Sequence, residues 1–211
     1  MSPPERHLLL GEARRLTAAY QAGGLAAVQA FRDLTDLLLR HTVLAPHGGV
    51  RLLAGPRGTD DIALGGWGGP SDPLPLTNGY FLRIGMRLST GPPPEEGLLK
   101  VTASSVQYQR DRGGERWVFR YDYRRHPPDL HPAAHVQVRG TLMEASLPGR
   151  MLLEHVHFPS GRVSLEAVIR LLVDQFGVPA NTPAEIWRPL LAESEAAFLR
   201  VAHQPLSGPD Q

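Results

Sequence analysis

Between residues 80 and 124 the pattern turns to β, with apolar side chains at every second position in its strand-like stretches, and this period constrains the fold more than any other feature of the 211-residue chain. Leu82, Ile84, Met86 and Leu88 alternate with Arg83, Gly85 and Arg87. Successive side chains of a strand point to opposite faces, so the pattern predicts a strand with one face buried. A proline-rich turn at 91–94 leads to a second expected strand over 97–109. Asp111-Arg112-Gly113-Gly114 then joins it to a third, RWVFRYDYRR, as an antiparallel hairpin. That third strand splits into Arg120, Asp122 and Arg124 on one side and Trp117, Phe119, Tyr121 and Tyr123 on the other. Strands near 134–140 and 151–158 complete an antiparallel sheet of about five to seven strands.

Helical patterns flank this sheet. Ser2-Pro3-Pro4-Glu5 supplies a capping serine, proline at the first helical position and glutamate at the third, predicting a helix that runs to Gln21 and stops at Gly23-Gly24. Leu25, Val28, Phe31, Leu34 and Leu38, three or four apart, predict a second helix ending near His41. After the sheet, Leu165, Val168, Ile169, Leu172, Val173 and Phe176 form one stripe, capped by Ser164 and stopped by Gly177. Thr182-Pro183-Ala184-Glu185 opens a last helix, which Pro189 is expected to kink or divide. Residues 46–79 are rich in turn formers, with short strands expected at 50–54 and 60–64. Their glycine run lacks the GK[ST] of a phosphate-cradling loop. Trp67 reads as a loop anchor or a partner contact. The fold class expected is α+β in one domain over 1–204: a helical hairpin (1–45), a sheet region (46–160) and helices (161–204). Residues 205–211 read as a loose tail.

Composition narrows the chemistry. With no cysteine, disulfides, thiolate zinc sites and a cysteine nucleophile are excluded. A net charge of +1 does not advertise nucleic-acid binding by bulk electrostatics. No apolar run approaches the roughly 18 residues that span a bilayer, so no membrane partner is expected and a cytoplasmic location is the default. Lys100 is the only lysine among the 22 basic residues.

Five of the nine histidines fall between 126 and 157: His126, His131, His135, His155 and His157. Imidazole titrates nearest neutral pH and also ligates metals, which makes this the candidate site. If Val136, Val138, Val156 and Phe158 point inward, His135, Gln137, Arg139, His155 and His157 share the opposite face. The arginine side of the third strand joins them, or the tyrosine side if the register is reversed. Such a face supplies a proton acceptor, a proton donor and a cation, as metal-free RNA cleavage needs. His135, His155 and His157 are then the acid–base set, with Arg120 and Arg139 stabilising phosphate charge. His126, His131, Arg124, Tyr121, Tyr123 and Gln137 are binding candidates, the tyrosines as base-stacking surfaces or as core. Zinc on the three strand histidines is a further reading, but no carboxylate at a recognisable spacing accompanies them, so no metal or cofactor is assigned. Ordinary hydrogen-bonded histidines remain an open alternative.

The segment FRYDYRRHPPDLHPAAHVQVRG, followed by HVHFPSGRVSLEAVIRLLVDQFGV, resembles the TumE-type toxins of prokaryotic toxin–antitoxin systems. In that family aromatic and basic strands lead to a histidine-containing strand pair and then a helix. The resemblance covers roughly residues 98–178; the N-terminal hairpin, the Gly/Pro-rich middle and the C-terminal helix lie outside it. A helical hairpin before an antiparallel sheet is also similar to RelE-like folds. The resemblance implies an RNA-directed or translation-directed toxin held inactive by a small antitoxin-like protein, with RNA as the other partner. The alternative expectation is a non-catalytic interaction or nucleotide-binding protein of a bacterial defence or secretion operon.

Overall fold

A computed structural model describes residues 3–54, 62–66, 72–89, 99–127, 132–142 and 151–202. Helices α1 (Pro3–Gln21) and α2 (Gly24–His41) form the expected hairpin. Gly23 between them has φ of 81°, in the left-handed region that a residue without a Cβ enters cheaply. Ten strands follow among the described residues: β1 (Val50–Ala54), β2 (Ile62–Gly66), β3 (Leu74–Pro75), β4 (Phe81–Ser89), β5 (Lys100–Gln109), β6 (Trp117–Arg124), β7 (Ala134–Val138), β8 (Thr141–Leu142), β9 (Met151–Leu152) and β10 (Phe158–Pro159). A 3₁₀ turn, Leu153–His155, separates β9 from β10, and α3 (Leu165–Asp174) and α4 (Ala184–Ala202) close the chain. No helix among the described residues is long and apolar enough to cross a membrane.

The main sheet runs in the order β1-β2-β4-β5-β6-β7-β10, with β3 also on β4, and every pairing in it is antiparallel. The β5–β6 connection is organised by Asp111, whose carboxylate accepts from the N–H groups of Gly114 (2.8 Å), Glu115 (3.0 Å) and Arg116 (2.6 Å). Loss of water would raise this carboxyl, but the three backbone donors outweigh it and hold Asp111 below the usual range.

One hydrophobic core draws residues from Leu9 to Leu191. Rows cross the strands on the covered face: Leu82, Tyr108 and Phe119 in one, which runs out to Val138, 37% exposed at its end, and Ile84, Val106, Tyr121 and Val136 in the next. Phe176, just past α3, closes on Tyr108 and Phe119 with ring centroids 5.3 and 5.4 Å away. Ser164 caps α3 by accepting from the Ala167 N–H at 3.0 Å, and Gly177 at φ 64° ends that segment. Glu166, in the first turn of α3, is buried and takes a hydrogen bond from the Ser194 hydroxyl of α4. Burial pushes its carboxyl up from the ordinary value, against the pull of the serine.

Two expectations need correction. The stretch 151–158 is not one strand: β9 pairs β8 in a separate two-stranded sheet, and the chain turns at 153–155 before β10 joins β7. The Val156 N–H reaching back to the Leu153 carbonyl at 3.0 Å closes that turn. Of the two outcomes expected at Pro189, a kink or a division, division does not occur: helix α4 passes through it. Proline leaves one carbonyl of the preceding turn without its helical donor, and buried Ile186, Trp187, Leu190 and Leu191 hold the segment in place regardless. The strand expected around 60–64 is found at Ile62–Gly66, positions 60 and 61 lying outside the described residues. Trp67 and the 205–211 tail lie outside the described residues.

Candidate functional site

Register settles which side of β6 the histidines join. Asp122 lies opposite His135 and Arg120 opposite Gln137, so the arginine side and the histidine side are one face. The tyrosine side turns toward the core, where Tyr121 packs edge-on against Phe119 at 5.6 Å. Burial raises the Tyr121 phenol above its usual value. Tyr121 and Tyr123 are thus core-side residues, not stacking surfaces beside the histidines.

On the polar face five side chains close a ring. Arg120 donates from Nε to Asp122 Oδ2 at 2.6 Å and from Nη2 to Gln137 Oε1. Gln137 Nε2 stands 3.4 Å from His157 Nε2. The His157 ring lies against His135 with centroids 4.6 Å apart. His135 Nε2 returns to Asp122 Oδ2 at 3.6 Å, an ion pair whenever His135 carries a proton. His157 reaches the ring because Phe158 pairs with Val136, which carries the preceding residue alongside Gln137. The side chain of His135 is only 11% exposed and that of Asp122 20%, whereas Arg120 keeps 39% of its side chain in water.

The ring orients the Gln137 amide. A guanidinium only donates, so Gln137 presents its oxygen to Arg120 and its NH₂ to His157. His157 Nε2 then accepts and is unprotonated in this arrangement. His135 differs: Nδ1 faces the Pro132 carbonyl at 3.4 Å and Nε2 faces the Asp122 carboxylate. Both of its nitrogens face acceptors, so either can serve as a donor. Two adjacent imidazoles are therefore set in opposite roles.

Other sequence candidates fall elsewhere. His155 ends the 3₁₀ turn and is exposed, which removes it from the strand face predicted for it. Arg139 donates to the Glu115 carbonyl, reaching to the β5–β6 connection. Arg124 and His126 are exposed at the end of β6, and His131 lies outside the described residues. Asp122 joins the site although only its side of the strand was legible beforehand; its partner became visible through the register. Among the described residues no group of three or more His, Asp or Glu side chains is placed to hold a metal ion. Comparison with family models, with curated proteins and with solved structures found no match to this chain.

Proposed function

We propose that the chain is a toxin-like, RNA-directed protein that cleaves phosphodiester bonds with His157 as base, His135 as acid and Arg120 as the cation. What carries this reading is the opposed surroundings of two adjacent imidazoles: His157 beside the Gln137 amide, His135 between the Asp122 carboxylate and the Pro132 carbonyl. In the reaction His157 takes the proton of a ribose 2′-hydroxyl, whose oxygen attacks the adjacent phosphorus. The P–O5′ bond breaks and the leaving oxygen takes a proton from His135, giving a 2′,3′-cyclic phosphate. Arg120, with Nε and Nη2 already placed by Asp122 and Gln137, turns its remaining edge toward the charge that builds on phosphorus. Gln137 and Asp122 are positioning residues. The family resemblance adds a small antitoxin-like partner that would mask this face.

Purified protein incubated with total RNA, with expression toxicity scored in parallel, tests the reading. His135→Ala and His157→Ala should each lower cleavage by about 10²- to 10⁴-fold while leaving the melting temperature nearly unchanged. Equal cleavage and toxicity in both variants would sink the catalytic assignment.

A further inference from the structure

A second cationic cluster lies on the opposite side of the same sheet. Arg162, in the segment between β10 and α3, places its guanidinium carbon 4.5 Å from the centroid of Tyr123 and 5.0 Å from that of Phe198. One ring comes from β6 and the other from α4, so the cation is held between sheet and helix. Rings cover guanidinium faces but leave the N–H edges in its plane without acceptors. Among the described residues no carboxylate pairs with Arg162. The acid nearest along α4, Glu195, one turn before Phe198, is taken up by Ser164 at 2.7 Å and Arg170 at 2.5 Å.

Arg125 adds a second charge. Its N–H stays on the ladder through the Thr102 carbonyl at 2.9 Å. It follows Tyr123 by two residues and so falls on the same side of the sheet. It too has no acidic partner among the described residues. Burial lowers the Arg162 guanidinium from its usual value, Tyr123 works the other way, and Arg125 lowers it further. Lys100 is lowered by burial and then by the same Arg125. Like charges gathered in a partly buried place are unfavourable until an anion joins them.

We propose that Arg162 and Arg125 form a binding site for a phosphate dianion, either inorganic phosphate or a phosphate monoester, between β6 and α4. Two guanidinium forks match a doubly charged, multi-oxygen anion better than a single carboxylate. The stacking of Arg162 on two rings fixes one fork in advance. The site is separate from the histidine ring and does not depend on the reaction proposed for it.

Thermal melts of the full chain in phosphate, in phenyl phosphate and in acetate, each matched in ionic strength with chloride, test it. Phosphate at roughly tenfold over its Kd should raise the wild-type melting temperature by about 3–5 °C, and acetate should not. A rise with inorganic phosphate alone identifies the free ion, and a rise with phenyl phosphate too identifies a monoester site. Arg162→Gln should lose the rise, as should Arg125→Gln, which is stacked on neither ring and serves if the first variant fails to fold. Arg162→Met should melt at or above wild type in chloride but below it in phosphate. The proposal is overturned if wild type gains nothing from phosphate, if acetate does as well, or if the glutamine variants keep the rise. It is equally overturned if Arg162→Met loses as much stability in chloride as in phosphate, which would make the arginine a clamp between β6 and α4.

Discussion

Phe119 and Arg120 are neighbours on β6, yet Phe119 is 4% exposed while two-fifths of the Arg120 side chain meets water. The contrast extends across the sheet. On the helix-covered side Leu82, Ile84, Val106, Tyr108 and Phe119 are held by area and close packing. Each large apolar side chain fully buried there contributes about 1.5–3 kcal/mol. On the other side Arg120, Asp122, Gln137, His135 and His157 are held by directional contacts. A hydrogen bond nets only about 0.5–1.5 kcal/mol once the water it replaces is counted. The face that contributes least to stability is free to specify where protons and charges sit.

Substitutions on the two faces test this division. Phe119→Ala removes a ring that touches Tyr108, Tyr121 and Phe176, and should cost about 3–5 kcal/mol in urea-unfolding free energy. A loss under about 1 kcal/mol would mean that the covered face is not the main source of stability. Arg120→Ala leaves Asp122 and the Gln137 oxygen without their donor, but water reaches this half-exposed position. Its expected cost is about 1–2 kcal/mol, read in the same experiment, with RNA cleavage falling far more steeply than stability. Equal losses in both would erase the distinction.

Glu166 sharpens the comparison because it is a charged residue type placed on the apolar side. Its folded-state pKa is raised above the ordinary 4.5 by burial, so the folded chain holds the proton more tightly than the unfolded one. The stability this group contributes is present below its unfolded value and is lost as pH rises through the raised one. Glu166→Gln is neutral throughout. Melting curves from acid to neutral pH should show wild type falling and the glutamine variant falling less; parallel curves would show that the carboxyl is not buried in solution.

Period-two alternation made the polar face legible in the sequence. It placed Arg120 and Asp122 together, His135 and Gln137 together, and Tyr121 and Tyr123 on the side of the strand opposite Arg120 and Asp122. The register between strands was not legible, because it depends on which pairs of residues meet across β6 and β7, and those lie apart in sequence. His157 reached the face, yet not through the long strand expected for it: two residues of β10 suffice to set it beside Gln137. His155 obeyed the same alternation on paper and failed, since the 3₁₀ turn breaks the period between them. Pro189 read as a breaker because local propensity disfavours it. Tertiary packing of its apolar neighbours overrides that preference.

The short link between α3 and α4 is sewn to the end of α2. Asn181 donates from its side chain to the carbonyls of Arg40 and Leu44 at 2.9 and 2.7 Å, and from its backbone to Thr42 at 2.7 Å. The Thr182 hydroxyl reaches the His41 carbonyl at 2.7 Å. These contacts join residues separated by roughly two-thirds of the chain. During synthesis the N-terminal hairpin must leave the ribosome well before its closing partner exists, and wait with Leu38, Leu39 and Leu44 incompletely covered. Long-range closure of this kind slows folding and lengthens exposure to aggregation. A nascent chain halted before about residue 180 would carry every residue of the histidine ring and still lack the stitches that finish its fold.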